Sequence, residues 1–89
     1  MRRRLSAAAA IADALFRENE ADLCYDRANT QVVMMSRREG DGWVICFGVL
    51  PKQGLGAGCA IDVDGPRAVP VAIVHVPDQS SSGRFERVD

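Results

Sequence analysis

The sequence has little net charge of either sign and no long hydrophobic run. Its 89 residues carry 11 basic and 12 acidic side chains, for a formal net charge of −1. A domain that binds DNA or RNA favours a basic face, so no nucleic-acid partner is indicated. No stretch approaches the ~20 apolar residues that a membrane-spanning helix needs. The sequence therefore predicts neither a nucleic-acid nor a membrane partner.

Cysteine and histidine are also scarce, with three cysteines and one histidine. An odd number of cysteines leaves at least one free thiol, which favours a reducing compartment and a cytoplasmic location. Structural zinc usually has four ligands in closely spaced pairs, a pattern that Cys46, Cys59 and His75 do not provide. No serine motif such as Gly-x-Ser-x-Gly accompanies His75. We therefore expect no catalytic residue, metal or cofactor.

What the sequence does contain is the composition of one small globular domain. Hydrophobic residues make up 47% and charged residues 26% of the chain, which is ordinary usage for a folded protein. The length suits one domain with a modest core. From Asp78 onwards the composition changes, and the run at 80–83 is typical of a linker. We predict a single domain at 1–78 and a flexible C-terminal tail at 79–89.

The first predicted element is a helix from Leu5 to about Leu23. Asp13 and Arg17 form a favourable i,i+4 pair on its polar face, and Ser6 is the candidate N-cap. The three arginines at 2–4 are unfavourable at the positive end of a helix dipole, so we expect them to lie outside the helix as an unstructured tail. The apolar face, at spacings of three and four, consists of Leu5, Ala8, Ala12, Leu15 and Phe16.

Four strands are predicted after the helix, at 31–37, 43–50, 59–63 and 68–76. The Asp41-Gly42 pair between the first two strands is the strongest local signal for a hairpin. Pro70 cannot donate a ladder hydrogen bond, which places it near a strand start or on a sheet edge. This order predicts an α+β fold, in which one N-terminal helix packs on a curved, four-stranded antiparallel sheet.

Both faces of this predicted sheet are apolar, although one helix can cover only one of them. In the second strand, Trp43, Ile45, Phe47 and Val49 share one face, and Val44, Cys46 and Leu50 share the other. An uncovered apolar face usually indicates a protein partner or a homodimer. The pattern therefore favours an interaction protein.

Candidate partner-binding residues lie at the start of the second strand and in the segment that follows it. For Trp43 we expect core packing against the helix by default, and its role as an interface anchor is the sharper alternative, because tryptophan is enriched in binding hot spots. The glycine-rich loop around Leu55 is followed by a strand rather than a helix, so we expect it to contact a protein rather than a phosphate. The other candidates are Lys52, Asp62, Asp64 and Arg67.

Two segments resemble a known family. The stretch at 42–48, Gly-Trp-Val-Ile-Cys-Phe-Gly, is similar to the Gly-Trp-Val-hydrophobic-aromatic strand of small bacterial immunity proteins of the YrhB type. The stretch at 58–65, which ends in Asp-Val-Asp-Gly, looks like the strand and turn that follow the glycine-rich loop in that family. Cystatin-like helix-plus-meander domains share the same order of elements. The resemblance implies a non-enzymatic protein that binds and neutralises a toxin or enzyme.

Three functional hypotheses follow. The first is an immunity or inhibitor protein that blocks a toxin or enzyme partner. The second is a small-molecule-binding, cystatin-like domain with a cavity between helix and sheet. The third is a structural homodimer subunit, which pairs through a strand edge or the exposed sheet face. The apolar character of the inward positions favours the first hypothesis over the second.

Overall fold

The helix and its surroundings match the predicted pattern closely. A computed structural model describes residues 2–51, 68–80 and 82–88 of the chain. Helix α1 spans Leu5–Asn19 and continues into a 3-10 turn at Glu20–Asp22. Ala8, Ala12 and Phe16 are its buried residues, and the two alanines allow the helix to approach the sheet closely. On the polar face, Arg17 and Asp13 form the predicted ion pair at 3.0 Å.

The start of α1 differs from the prediction. Its N-cap is Arg4, in an extended conformation and with no side-chain capping bond, so Ser6 already lies within the helix. The cause is the anchoring of Arg3, whose N–H donates to Asp78 Oδ1 at 2.9 Å. This contact fixes the direction of the chain just before the helix. The predicted cap was therefore wrong, and so was the expectation that the whole of 2–4 is unstructured, although these arginines do lie outside α1.

The sheet is antiparallel and has the order β1-β2-β3-β4. Its strands are Thr30–Glu39 (β1), Gly42–Pro51 (β2), Val69–Pro77 (β3) and Arg84–Arg87 (β4). The predicted α+β architecture of one helix on four antiparallel strands is thus confirmed. β1, β2 and β3 lie within a few residues of predicted strands, whereas the strand predicted at 59–63 falls outside the described residues.

Two glycines shape the ladders around β2. Gly40, in the turn between β1 and β2, has φ +57°, which L-residues with a Cβ rarely adopt. Between β2 and β3 the register shifts at Phe47 and Gly48. A Cβ at Gly48 would lie 2.8 Å from the Cβ of Ala68, so this irregularity requires glycine. Pro70 pairs with Gly48 near the start of β3, as predicted.

β4 lies in the segment for which the sequence predicts a flexible tail. It pairs antiparallel with β3, and Val74 is opposite Phe85. Phe85 packs partly buried against the core. Gly83 precedes the strand at a point where a Cβ would lie 3.0 Å from the carbonyl oxygen of His75, so the apparent linker glycine permits a close approach to β3. The tail prediction is corrected for these four residues, because tertiary pairing overrides their weak local pattern.

The core lies between α1 and one face of the sheet. The rings of Phe16 and Phe47 stack at 4.4 Å between centroids and 18° between planes. Ile45, Val74 and Val76 are the largest fully buried side chains in the described part of the chain. None of the helices among the described residues combines the length and the apolar character that a membrane crossing requires.

Candidate functional site

Trp43 is the one predicted partner-binding residue that the structure describes, and it lies on the helix side of β2. Its ring is half-buried and packs against the core. Its indole Nε1 donates a 2.8 Å hydrogen bond to the carbonyl oxygen of Arg3, and the guanidinium of Arg38 lies over the ring at 5.4 Å from its centroid. These contacts hold the N-terminal segment against the end of the sheet, and the ring of Trp43 packs against the core as the default expectation has it.

Beside Trp43, Arg38 and Asp78 form an ion pair. Its side chains are the least exposed of any ion pair among the described residues. The guanidinium makes a two-pronged contact with the carboxylate, in which Arg38 Nη1 donates to Asp78 Oδ1 at 2.8 Å and Nη2 donates to Oδ2. The Asp78 side chain is only 8% exposed. The Arg38 contact, followed by the Arg3 N–H, lowers the pKa of Asp78 from 3.8 to about 2. The same contact raises the pKa of Arg38.

The other five predicted contact residues cannot be placed. They all lie outside the described residues: Lys52, Leu55, Asp62, Asp64 and Arg67. The proposal that they contact a partner therefore stays a prediction.

The sheet face opposite α1, hereafter the far face, is apolar at its centre. The register places Val33 and Met35 of β1 beside Gly48 and Cys46 of β2, all on this face. Together with Ala68 and Pro70 they line a groove of about 230 Å³. The space that a Cβ at Gly48 would need is taken by the Cβ of Ala68. No described element packs over this face.

Sequence reasoning missed the two methionines of β1 as candidate contact residues. Met34 is 47% and Met35 is 64% exposed. Their side chains lie on opposite faces of a strand at the edge of the sheet. The available signal was the adjacent pair of large, flexible apolar residues, in a strand that pairs with only β2 among the described strands.

A second groove, of about 420 Å³, lies beside the helix between α1 and β1. Val32, Met34 and Phe47 contribute apolar side chains, and Asp13, Arg17 and Glu20 stand on the helix side. The space directly beneath α1 is filled by the stacked phenylalanines rather than by a cavity. A small ligand would thus have to lie beside the helix and not under it.

The polar residues that could carry chemistry are dispersed. His75 Nε2 lies 2.9 Å from Glu86 Oε2 on an exposed part of the far face. Cys24 is an exposed free thiol and Cys46 a half-buried one, while Cys59 is not among the described residues. Within the described ranges there is no group of three or more His, Cys, Asp or Glu side chains that could hold a metal ion.

The geometry thus contains an apolar far face, an exposed edge strand and a half-buried arginine–aspartate pair at the end of the sheet. No protein-family model matches the sequence, and searches of the curated proteins and of the solved structures gave no significant match.

Proposed function

We propose that this chain is a non-enzymatic protein-interaction module, of the immunity- or inhibitor-protein kind, that blocks a toxin or enzyme by occupying its surface. The observation that carries the proposal is the apolar far face, with its groove above Gly48 and the exposed Met35 beside it. Apolar patches of this kind mark protein interaction sites in soluble domains. The odd number of cysteines supports a reducing, cytoplasmic setting for the interaction.

The far face suits a partner that presents an apolar side chain surrounded by polar groups. Val33, Met35 and Pro70 provide the apolar walls of the groove, and the unbranched side chain of Met35 can adapt to the shape of the inserted group. Arg84 and Glu86 of β4 supply a charged rim with side chains 69% and 53% exposed. An apolar centre with a polar rim is the usual anatomy of a protein–protein interface.

The test starts with a tagged full-length chain as bait in a lysate of the source cell, with mass spectrometry of the retained proteins. The purified partner is then titrated against the wild type, Met35→Glu and the control Leu5→Glu. Leu5 is also an exposed large hydrophobic residue, 43% exposed, but it lies on α1. We expect Met35→Glu to weaken binding at least ~10-fold, as for a residue at an interface centre, and Leu5→Glu to change it less than ~3-fold.

Two results would contradict the proposal. Equal affinity of a folded Met35→Glu variant would remove the far face from the interaction. A partner that binds but keeps its full activity when saturated would exclude an inhibitory role.

The ligand-binding alternative depends on the groove between α1 and β1. Its volume of about 420 Å³ falls within the range of roughly 300–1,000 Å³ that is common for small-molecule sites. A compound from a metabolite set that raises the Tm of the wild type, but not that of Met34→Lys, would favour this function.

A further inference from the structure

The two edges of the sheet differ in the features that protect an edge from pairing. β4 is four residues long, and three of them are charged. β1 is ten residues long, lacks proline, pairs with β2 without a register break and carries no charge before Arg37. Natural sheets protect their edges by shortness, charge, proline or bulges. Of the two edges, β1 is the one that lacks these devices along most of its length.

The hydrogen-bond pattern determines which backbone groups of β1 face outwards. The N–H of Asp78 donates to the carbonyl oxygen of Asp41 at 2.8 Å, so Asp41 and every second residue after it face β3. The backbone groups of the even-numbered residues of β2, beginning with Gly42, face β1. The β1 residues opposite them are odd-numbered, so these use their N–H and C=O groups to pair with β2. The even-numbered residues of β1 therefore direct N–H and C=O groups towards the side of β1 on which none of the described strands lies. They are Thr30, Val32, Met34, Ser36 and Arg38.

The exposed apolar side chains of the described residues are concentrated on the same strand. Five large hydrophobic residues are exposed, and β1 contributes Val32, Met34 and Met35. Backbone groups that no described strand pairs and exposed apolar side chains thus coincide along the first two thirds of β1. This combination is what strand addition to a sheet edge requires.

We propose that β1 pairs antiparallel with β1 of a second copy of this chain, forming a symmetric dimer with a continuous eight-stranded sheet. A two-fold axis perpendicular to the sheet, passing beside Met34, places Met34 opposite its own copy and Val33 opposite the copy of Met35. Both α1 helices then lie on the same side of the sheet. The two far faces adjoin one another, so the dimer doubles the apolar surface described above.

The distribution of charge along β1 favours a second copy in this orientation. Arg37 and Arg38 occupy one end of the strand, whereas the other end, from Thr30 to Val32, carries no charge. Antiparallel pairing places each charged end opposite an uncharged end. Parallel pairing in register would instead bring the Arg37–Glu39 and Arg38–Asp78 ion pairs of the two copies side by side. An interface formed mainly by one strand edge is small, below about 1,200 Å² in total, so we expect micromolar dissociation.

The test is the mass of the purified full-length chain in sedimentation equilibrium between about 1 and about 500 µM, a range that brackets micromolar dissociation. We expect the mass to rise from that of one chain to that of two. Met34→Pro removes an outward-facing N–H that β2 does not use, and proline is tolerated at such edge positions. This variant is expected to remain monomeric throughout, with the far-UV circular dichroism of the wild type.

The matched control is Leu5→Lys on α1, away from β1. Leu5 is a large hydrophobic residue that is 43% exposed, close to the 47% of Met34, and we expect this variant to dimerise like the wild type. Met34→Lys provides a second variant should Met34→Pro unfold. It keeps the N–H but places two ammonium groups close to the axis, and we expect dimerisation at least ~10-fold weaker.

A wild-type chain that stays monomeric over the whole range would overturn the proposal. A folded Met34→Pro variant that dimerises as the wild type does would also overturn it, because the interface would then lie elsewhere. The measurement contains no other protein. Failure of the dimer is therefore distinguishable from failure of the far face to bind a partner.

Discussion

The indole of Trp43 binds the carbonyl oxygen of Arg3 at 2.8 Å, which joins β2 to a segment 40 residues earlier in the chain. Arg3 in turn donates its N–H to Asp78, at the end of β3. Asp78 also accepts hydrogen bonds from Arg38 of β1. One end of the sheet is therefore closed by a network that includes the start of the helix, β1, β2 and the end of β3.

We expect the hydrogen bond from Trp43 to the carbonyl oxygen of Arg3 to contribute measurably to the free energy of unfolding. Trp43→Phe keeps an aromatic ring but removes the donor to Arg3 O and part of the indole surface. We expect the free energy of unfolding to fall by about 1–2 kcal/mol, of which the hydrogen bond accounts for roughly 0.5–1.5 kcal/mol. Urea denaturation followed by circular dichroism measures this, because the variant lacks the only tryptophan of the chain.

Tyr25→Phe is the control for this measurement. It also removes an aromatic donor, but Tyr25 OH bonds to Glu20 only five residues away, at 3.2 Å. We expect an effect within about 0.5 kcal/mol, as for other surface substitutions. If the two substitutions lowered the free energy of unfolding equally, the long-range Trp43–Arg3 hydrogen bond would contribute no more to stability than the local Tyr25–Glu20 bond.

The Arg38–Asp78 pair predicts a specific dependence of stability on acid. The pKa of Asp78 is lowered from 3.8 to about 2 in the folded chain, so the unfolded state binds more protons between these values. Stability from this group is complete above about pH 4 and is lost as the pH falls towards 2. We expect Asp78→Asn to be less stable than the wild type at pH 6, with a difference that shrinks towards pH 2. Thermal unfolding at several pH values measures it.

Asp13→Asn serves as the comparison for Asp78→Asn. Asp13 pairs with Arg17 on the helix surface, where the two side chains are 49% and 76% exposed. Exposed ion pairs contribute little to stability, so this substitution should change the Tm at pH 6 much less than Asp78→Asn does. If the difference between the wild type and Asp78→Asn were the same at pH 6 and at pH 2, the proposed linkage would be wrong.

The regular elements could be predicted from the sequence wherever a repeating pattern was strong. In α1, apolar residues recur at spacings of three and four over several turns. In β2, they alternate between the two faces over several residue pairs. Each pattern follows from the burial of one face of the element. The faces of β2 are as predicted, with Ile45 and Phe47 buried and Cys46 on the other side. The hairpin before β2 lies where it was predicted, but the positive φ falls on Gly40 rather than within the predicted Asp41-Gly42 pair, and Gly42 already belongs to β2.

The parts that were missed depend on contacts between distant segments. Arg3 carries no local signal for order, and its four hydrogen-bond partners lie 40 or more residues away. The value of Met34 and Met35 as contact residues depends on β1 being an edge strand, and the order of strands in a sheet cannot be read from the alternation within one of them. For the same reason, the sequence left the choice between a partner and a second copy open.

Substitutions in β4 distinguish an ordered strand from a flexible tail by their effect on stability. Phe85 packs against the core opposite Val74, and we expect Phe85→Ala to reduce the free energy of unfolding by about 1–3 kcal/mol, below the ~3–5 kcal/mol of a fully buried phenylalanine. Arg84→Ala, on the exposed face of the same strand, is expected to change it by less than about 0.5 kcal/mol. Urea denaturation of both variants measures the contrast.

Hydrogen exchange adds a readout that does not depend on substitution. The amide of Val88 donates to Val71 O at 3.0 Å, and the antiparallel pattern places the amide of Glu86 towards Ile73. Both amides should exchange more slowly than that of Phe85, which faces away from β3. A flexible tail would show fast exchange at all three positions, and Phe85→Ala would then leave stability unchanged. An alternation of slow and fast amides is a pattern that only a paired strand produces.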